Sequence, residues 1–298
     1  TVKKSVFELP KTNVNFQLGQ YNSINQDRAF QISQTIPFPT YYTAKSGLYK
    51  AELQSSELKQ QATVNDIKAQ VQYWFYHLQY LQQIKIHLLS IDKLYDEFVS
   101  ASALRYKSGA ANLLEKTTAE TKREQFFLLI KQNETDYATA YNSLKMLLNK
   151  SEEFTIKISE NLQPLHLTTS IDTTLISNNP LIKELFQRAI IAEQNKKVEV
   201  AATLPDFNLG YFNQSLIGTQ TLHGSDVYFN GSKRFQGLNV GLSVPLTFFS
   251  NASKIKSLEY KQRALQLEAD NGKLILQNQL QSAFLQYNQN LSQYNYFK

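Results

Sequence analysis

A short β-hairpin pattern followed by a very long helical pattern occurs twice in this chain. The first copy runs through Leu9-Pro10, an apolar/polar alternation, and Ile36-Pro37-Phe38 before its helix. The second runs through Leu204-Pro205, another alternation, and Val244-Pro245-Leu246 before its own. Its hairpin has the longer loop, around Ile217 to Arg234. An internal repeat constrains architecture before any local pattern does.

The strands have an unusual polar face. Val14, Phe16 and Leu18 alternate with Asn13, Asn15, Gln17 and Gly19. Phe30 and Ile32 alternate with Gln31 and Ser33, and Phe207, Leu209 and Tyr211 with Asn208 and Gly210. Leu238, Val240, Leu242 and Val244 alternate with Gly237, Asn239, Gly241 and Ser243. A period of two puts each set on its own face. Water-soluble strands usually carry Lys, Glu or Thr outside; here the polar face is Asn, Gln, Ser and Gly. That is the pattern of a transmembrane β-strand. It assigns Val14, Phe16, Leu18, Leu238, Val240 and Leu242 to lipid, and Asn15, Gln17, Asn239 and Ser243 to a lumen. An open sheet edge costs several kcal/mol per unpaired backbone group in hydrocarbon. Single-chain bacterial barrels need about eight strands or more. Four strands in lipid therefore require further copies of the chain.

The helical patterns are long. No proline interrupts the chain from Thr40 until Pro164. Val64, Ile67, Val71, Trp74, Leu78, Leu81, Leu88, Ile91 and Phe98 follow spacings of three and four, with Lys85 breaking the series. That is a coiled-coil stripe. Arg105-Tyr106-Lys107-Ser108-Gly109 breaks it, with glycine as the turn residue. A second stripe follows through Phe127, Ile130, Tyr137, Tyr141, Leu144 and Leu148, with Glu134 as its polar interruption. The two read as an antiparallel helical hairpin. A helix from Tyr42 to Leu104 is roughly 90 Å long, which suits a tube or a projecting coiled coil. Asn179-Pro180 opens another helix, as N-cap and first-turn residue. Ser250 or Asn251 is expected to cap the last one.

Composition narrows the chemistry. The chain has 298 residues, 42% of them hydrophobic and 19% charged, with a net charge of +6 and no cysteine. Disulfides, thiolate metal sites and cysteine nucleophiles are excluded within these residues. The basic residues are spread out, which speaks against a nucleic-acid partner. No apolar run reaches the length of a transmembrane helix. His77, His87, His166 and His223 are isolated, and Asp92, Asp96 and Glu97 lack a nucleophile or base beside them. With Met146 as the lone methionine, a thioether metal relay is not expected. No nucleotide-binding, hydrolase or metalloprotease motif occurs. The reading is of a non-enzyme without cofactor or metal.

In order, the chain is then a helix end (1–8), a hairpin (9–38), a long helical hairpin (39–150), a connector (151–178), a helix (179–203), a second hairpin (204–247) and a last long helix (248–298). The start at Thr1 and the incomplete second repeat suggest part of a longer polypeptide. Asn179-Pro180-Leu181 opens a helix that ends between Ala201 and Leu204-Pro205. Gly241-Leu242-Ser243-Val244-Pro245-Leu246 ends a strand at a proline. Arg105-Tyr106-x-x-Gly109 precedes a helix closing on Leu144-x-x-Leu147-Leu148-Asn149. In this order the motifs resemble the TolC-type outer-membrane efflux channel family over nearly the whole chain.

The resemblance implies a mixed α and β membrane protein. Three copies would pool four strands each into a twelve-stranded outer-membrane barrel, continued by a periplasmic α-helical tunnel. It implies a passive export conduit for small molecules or metal ions, working with a periplasmic adaptor and an inner-membrane pump, fused or adjacent. Arg105, Tyr106, Lys107, Ser108 and Gly109 would form the pore tip where the adaptor docks. Two departures stand out: only one helical hairpin is complete, and Ala110 follows Gly109 where a larger apolar residue is usual. The rival reading is a soluble periplasmic adaptor or scaffold with a coiled-coil hairpin. It requires charged outer strand faces.

Overall fold

A computed structural model describes residues 8–156, 174–246 and 248–297. The helix end expected over 1–8 lies, Glu8 apart, outside these residues, as do most of the connector and His166. The chain divides into two units, Thr1–Gln60 with Ser170–Lys298, and Gln61–Thr169.

The first unit contains the sheet. Strands β1 (Asn13–Gly19), β2 (Asp27–Ile36), β3 (Asp206–Gln214) and β6 (Phe235–Ser243) form one antiparallel sheet in the order β1-β2-β3-β6. The two hairpins thus join through β2 and β3, with Ile32 opposite Tyr211 and Ile36 opposite Phe207. β1 and β6 are the edges, each paired on one side only among the described residues. The longer loop expected around Ile217 to Arg234 folds into a ribbon of β4 (Gly218–Leu222) and β5 (Ser225–Phe229). His223 and Gly224 make its tight turn with φ of 51° and 84°, the backbone of a primed hairpin turn.

The first unit also holds the start of α1 (Pro39–Lys107), the short α3 (Thr174–Asn178), α4 (Pro180–Ala201) and α5 (Phe248–Phe297). Asn179 caps α4, accepting from Leu181 N–H at 2.9 Å, and Pro180 follows where its missing N–H costs nothing. α4 packs closely on both neighbours because they offer small residues. On α1, Gly47, Ala51 and Ser55 are spaced by four, so they share one face. A Cβ on Gly47 would stand 2.8 Å from the Gln194 amide oxygen. Gln187, buried, donates to the Ala51 carbonyl at 3.0 Å. Toward α5, a Cβ on Gly272 would stand 2.6 Å from Leu185. α5 begins at Phe248, so Ser250 and Asn251 lie inside its first turn rather than capping it. Backbone hydrogen bonding after Pro245 resumes before the polar residues are reached.

The second unit is built on an antiparallel helical hairpin: the rest of α1, and α2 (Leu113–Leu147). Its core is Leu78, Leu81, Ala140 and Leu144, with Val71, Trp74, Tyr137, Tyr141, Phe154 and Ile156 around it. Tyr141 fixes the start of the connector twice, donating to the Phe154 carbonyl at 3.0 Å and accepting from its N–H at 2.8 Å. The stripe read from sequence is buried at its centre only; Val64, Ile67 and Phe98 are exposed in the single chain.

Candidate functional site

The candidate residues fall in two places: the faces of the sheet and the tip of the helical hairpin. The first follows from the ladder. Val14, Phe16 and Leu18 lie opposite Ile32, Phe30 and Arg28. The same face continues through Leu209 and Tyr211 to Val240 and Leu238, and Phe207 meets Leu242. Val14, Phe16, Leu18, Leu238, Val240 and Leu242 are each between 60 and 79% exposed. A water-soluble sheet buries such a face; this one has no cover within the described residues.

The opposite face holds Asn13, Asn15, Gln17, Gln31, Ser33, Thr35, Asn208, Asn239 and Ser243. Its groups are neutral and satisfy one another laterally: Thr35 Oγ1 donates to Asn208 Oδ1 at 2.7 Å, and Asn208 Nδ2 donates to Ser243 Oγ. Two aromatics interrupt it, Phe212 and, at the start of β6, Phe235. Phe212 lies over Gly237, where a Cβ would meet the ring at 2.7 Å. Glycine opposite an aromatic is a recurrent device in strongly curved sheets. The charged outer faces that the rival adaptor reading requires are absent from the described strands, except at their ends.

One feature was not read from sequence. At the loop end of the sheet Asp27 is fully buried. Its carboxylate accepts from Ser23 Oγ at 2.7 Å, Ser215 Oγ at 2.9 Å and Ile217 N–H at 3.0 Å. Ser215 in turn accepts from Arg28 N–H at 2.9 Å, and Asn25 donates to the Ile217 carbonyl at 3.0 Å. Neutral donors replace a counter-ion, which is how a buried carboxylate stays tolerable. The result ties the loops of the two hairpins together. Residues so far apart in sequence left no local signal.

The tip is a closed motif. Gly109 has φ +76°. Its N–H donates to the Tyr106 carbonyl at 3.1 Å, while Ala110 N–H donates to the Arg105 carbonyl at 2.9 Å. This pair of bonds defines a Schellman end. Asn112 then caps α2, accepting from Glu115 N–H at 2.8 Å. Lys116 lies over the Tyr106 ring at 5.7 Å. Of the five residues read as tip, Arg105, Tyr106 and Lys107 end α1, and Ser108 and Gly109 make the turn. The apolar surface comes from neighbours outside those five: Leu104, Leu113 and Leu114 are 54 to 72% exposed. Between the helices a groove of about 380 Å³ is lined by Phe98, Ser102, Arg105, Asn112 and Leu114 among others.

The polar interruptions of the two stripes meet. Lys85 Nζ lies 3.2 Å from Glu134 Oε1, and Lys131 Nζ 3.0 Å from Oε2. Hydrogen bonds from Lys131 and then Lys85 hold the Glu134 carboxyl below its ordinary range. Arg123 bridges Asp96 at 2.6 Å and Asp92 at 3.5 Å. Those carboxylates are structural partners across the hairpin. No cluster of His, Cys, Asp and Glu able to hold a metal ion occurs among the described residues. No described helix is long and apolar enough to cross a membrane.

No family model and no curated protein sequence matches the chain. Solved structures do. The outer-membrane channel OprN superposes with a TM-score of 0.78 at 15% identity, over 98% of this chain and 68% of that one. CusC gives 0.67 at 19% identity, over 95% and 67%. VceC, an outer membrane protein of Vibrio cholerae, gives 0.67 at 15%, over 92% and 68%. The chain spans about two thirds of the length of these channels. It has the fold of the TolC-type outer-membrane channels.

Proposed function

We propose that this chain, with the fold of an outer-membrane channel protomer, contributes its sheet to an oligomeric barrel in the outer membrane and its helices to a periplasmic tunnel. The assembly is a passive efflux conduit. The observation that carries this is the sheet itself: an apolar face without cover, an uncharged amide face behind it, and two edges free to pair with other copies. All four strands alternate in direction, so β6 of one copy and β1 of the next meet antiparallel. Three copies give twelve strands, well above the minimum for closure. The apolar face then meets lipid, the amide face lines the lumen, and no backbone group is left unpaired in hydrocarbon.

The helical hairpin tip serves as the docking point of a periplasmic adaptor, which links the tunnel to an inner-membrane pump. The exposed leucines around a rigid turn support this role. Cargo passes a neutral barrel wall, so selectivity rests on width and on the partner pump rather than on fixed charge in the strands.

Two substitutions on adjacent residues test the faces. Val240→Arg should destabilise membrane assembly by roughly 2–4 kcal/mol if the position is near the bilayer midplane. Asn239→Arg should assemble and shift the reversal potential in planar bilayers toward anion selectivity. Heat-stability of the membrane-extracted oligomer reads the first effect. Equal tolerance of both arginines would rule out a lipid-facing and a lumen-facing side.

A further inference from the structure

At the end of the sheet farthest from the helices, the outward face changes chemistry. It is apolar through Leu18, Phe30 and Leu238. Tyr211, in the row of Leu238, donates its hydroxyl to Gln236 Oε1 at 2.8 Å, and Asn213 follows in the next row, opposite Phe30. Beyond these, strand alternation puts Arg28 of β2, and Arg234 just before β6, on the same face. Arg234 is anchored, donating from Nη2 to the Asn213 carbonyl at 2.9 Å. Arg28 is exposed, and its guanidinium has no hydrogen bond or ion pair among the described residues. Two strand spacings separate them, about 10 Å.

No described carboxylate pairs with these cations. Asp27 is buried on the other face with its oxygens already occupied. Asp226 accepts from Thr221 within the ribbon at 2.7 Å. Lys233 adds a further positive charge beside Arg234.

We propose that Arg28 and Arg234 form a headgroup site for a phosphorylated lipid, on the side of the membrane that the loops face. This rests on the reading that the apolar face meets lipid. Guanidinium matches phosphate oxygens bidentately, and arginine stems lie along apolar surface while their heads reach outward. Tyr211 sits at the apolar–polar border, as interfacial aromatics do. Phe16 and Phe30 in the next row down, with Leu18 opposite Arg28, supply a surface for acyl chains. A free anion would meet an open rim without walls, so the lipid is the occupant.

The test uses the protein extracted from membranes in detergent, with thermal unfolding followed against three additives. These are bis-phosphorylated lipid A, the same lipid stripped of phosphate, and inorganic phosphate. Only the phosphorylated lipid should raise the unfolding temperature. Arg28→Gln should weaken its half-saturating concentration about tenfold, and Arg28→Lys less. Equal half-saturation for wild type and Arg28→Gln overturns the site. So does equal stabilisation by the stripped lipid or by inorganic phosphate. Flotation with phosphatidylcholine vesicles reports the membrane face separately. Wild type left in the aqueous fraction removes that face and the site with it. Flotation of both proteins with unchanged lipid affinity removes the site alone.

Discussion

Gly109 has φ +76°, and no atom lies within 4 Å of where its Cβ would stand. A side chain there meets no neighbour, so the penalty is purely conformational, about 1–2 kcal/mol for an L-residue and more if β-branched. Gly109→Val should therefore distort the tip and impair efflux while the oligomer still assembles. Gly109→Asn should retain function, because asparagine tolerates this backbone. Drug- or metal-susceptibility assays beside oligomer gels read both outcomes. Normal efflux in Gly109→Val would remove the reason for placing the pore entrance at this turn. The glycine was legible from sequence as a break between two stripes. Its conformation was supplied by the pair of carbonyls, Arg105 and Tyr106, that close on the turn. Asn149, at φ 49°, does the same work at the far end of α2, with Lys150 N–H donating to the Lys145 carbonyl at 3.2 Å.

At the scale of elements, the helical hairpin has a register set by polar residues inside an apolar stripe. Lys85 and Glu134 each look like a flaw in their own helix, and their meeting explains both. Asn133, nearly buried beside them, donates to the Leu81 carbonyl at 3.2 Å, while its own Oδ1 has no partner among the described residues. A half-satisfied buried amide costs stability and can specify pairing, as a polar core residue does in coiled coils. Asn133→Leu should raise the thermal midpoint of helical circular dichroism, by roughly 1 kcal/mol of stability. A fall in that midpoint would mean that the amide is a net stabiliser. The Glu134 cluster adds a pH signature. Its carboxyl is held below the ordinary value, so its contribution is present above the unfolded pKa and is lost as pH falls through the folded one. The acid limb of the stability profile should shrink in Glu134→Gln. Both Lys85 and Glu134 are partly exposed, so the change is small.

For the whole molecule, the sheet is an incomplete object by itself. Four strands in the order β1-β2-β3-β6 leave two edges and two open faces. Neither water nor hydrocarbon suits that arrangement for a single copy, which is the physical case for assembly. Mass measurement of the detergent-extracted particle should return three copies. A monomer that stays in solution without detergent would instead favour the adaptor reading.

Alternation along Asn13 to Gly19 and Gly237 to Ser243, the prolines at the strand ends and the two heptad stripes are local patterns, so the strands, the long helices and the two-sided chemistry of the sheet followed from sequence alone. The pairing of β2 with β3, the Asp27 latch, the ribbon in the long loop and the Lys85–Glu134 contact join residues distant along the chain. No local periodicity encodes which distant partners meet. That was decided by the one arrangement in which ladder hydrogen bonds, buried carboxylate donors and interhelical packing are satisfied together.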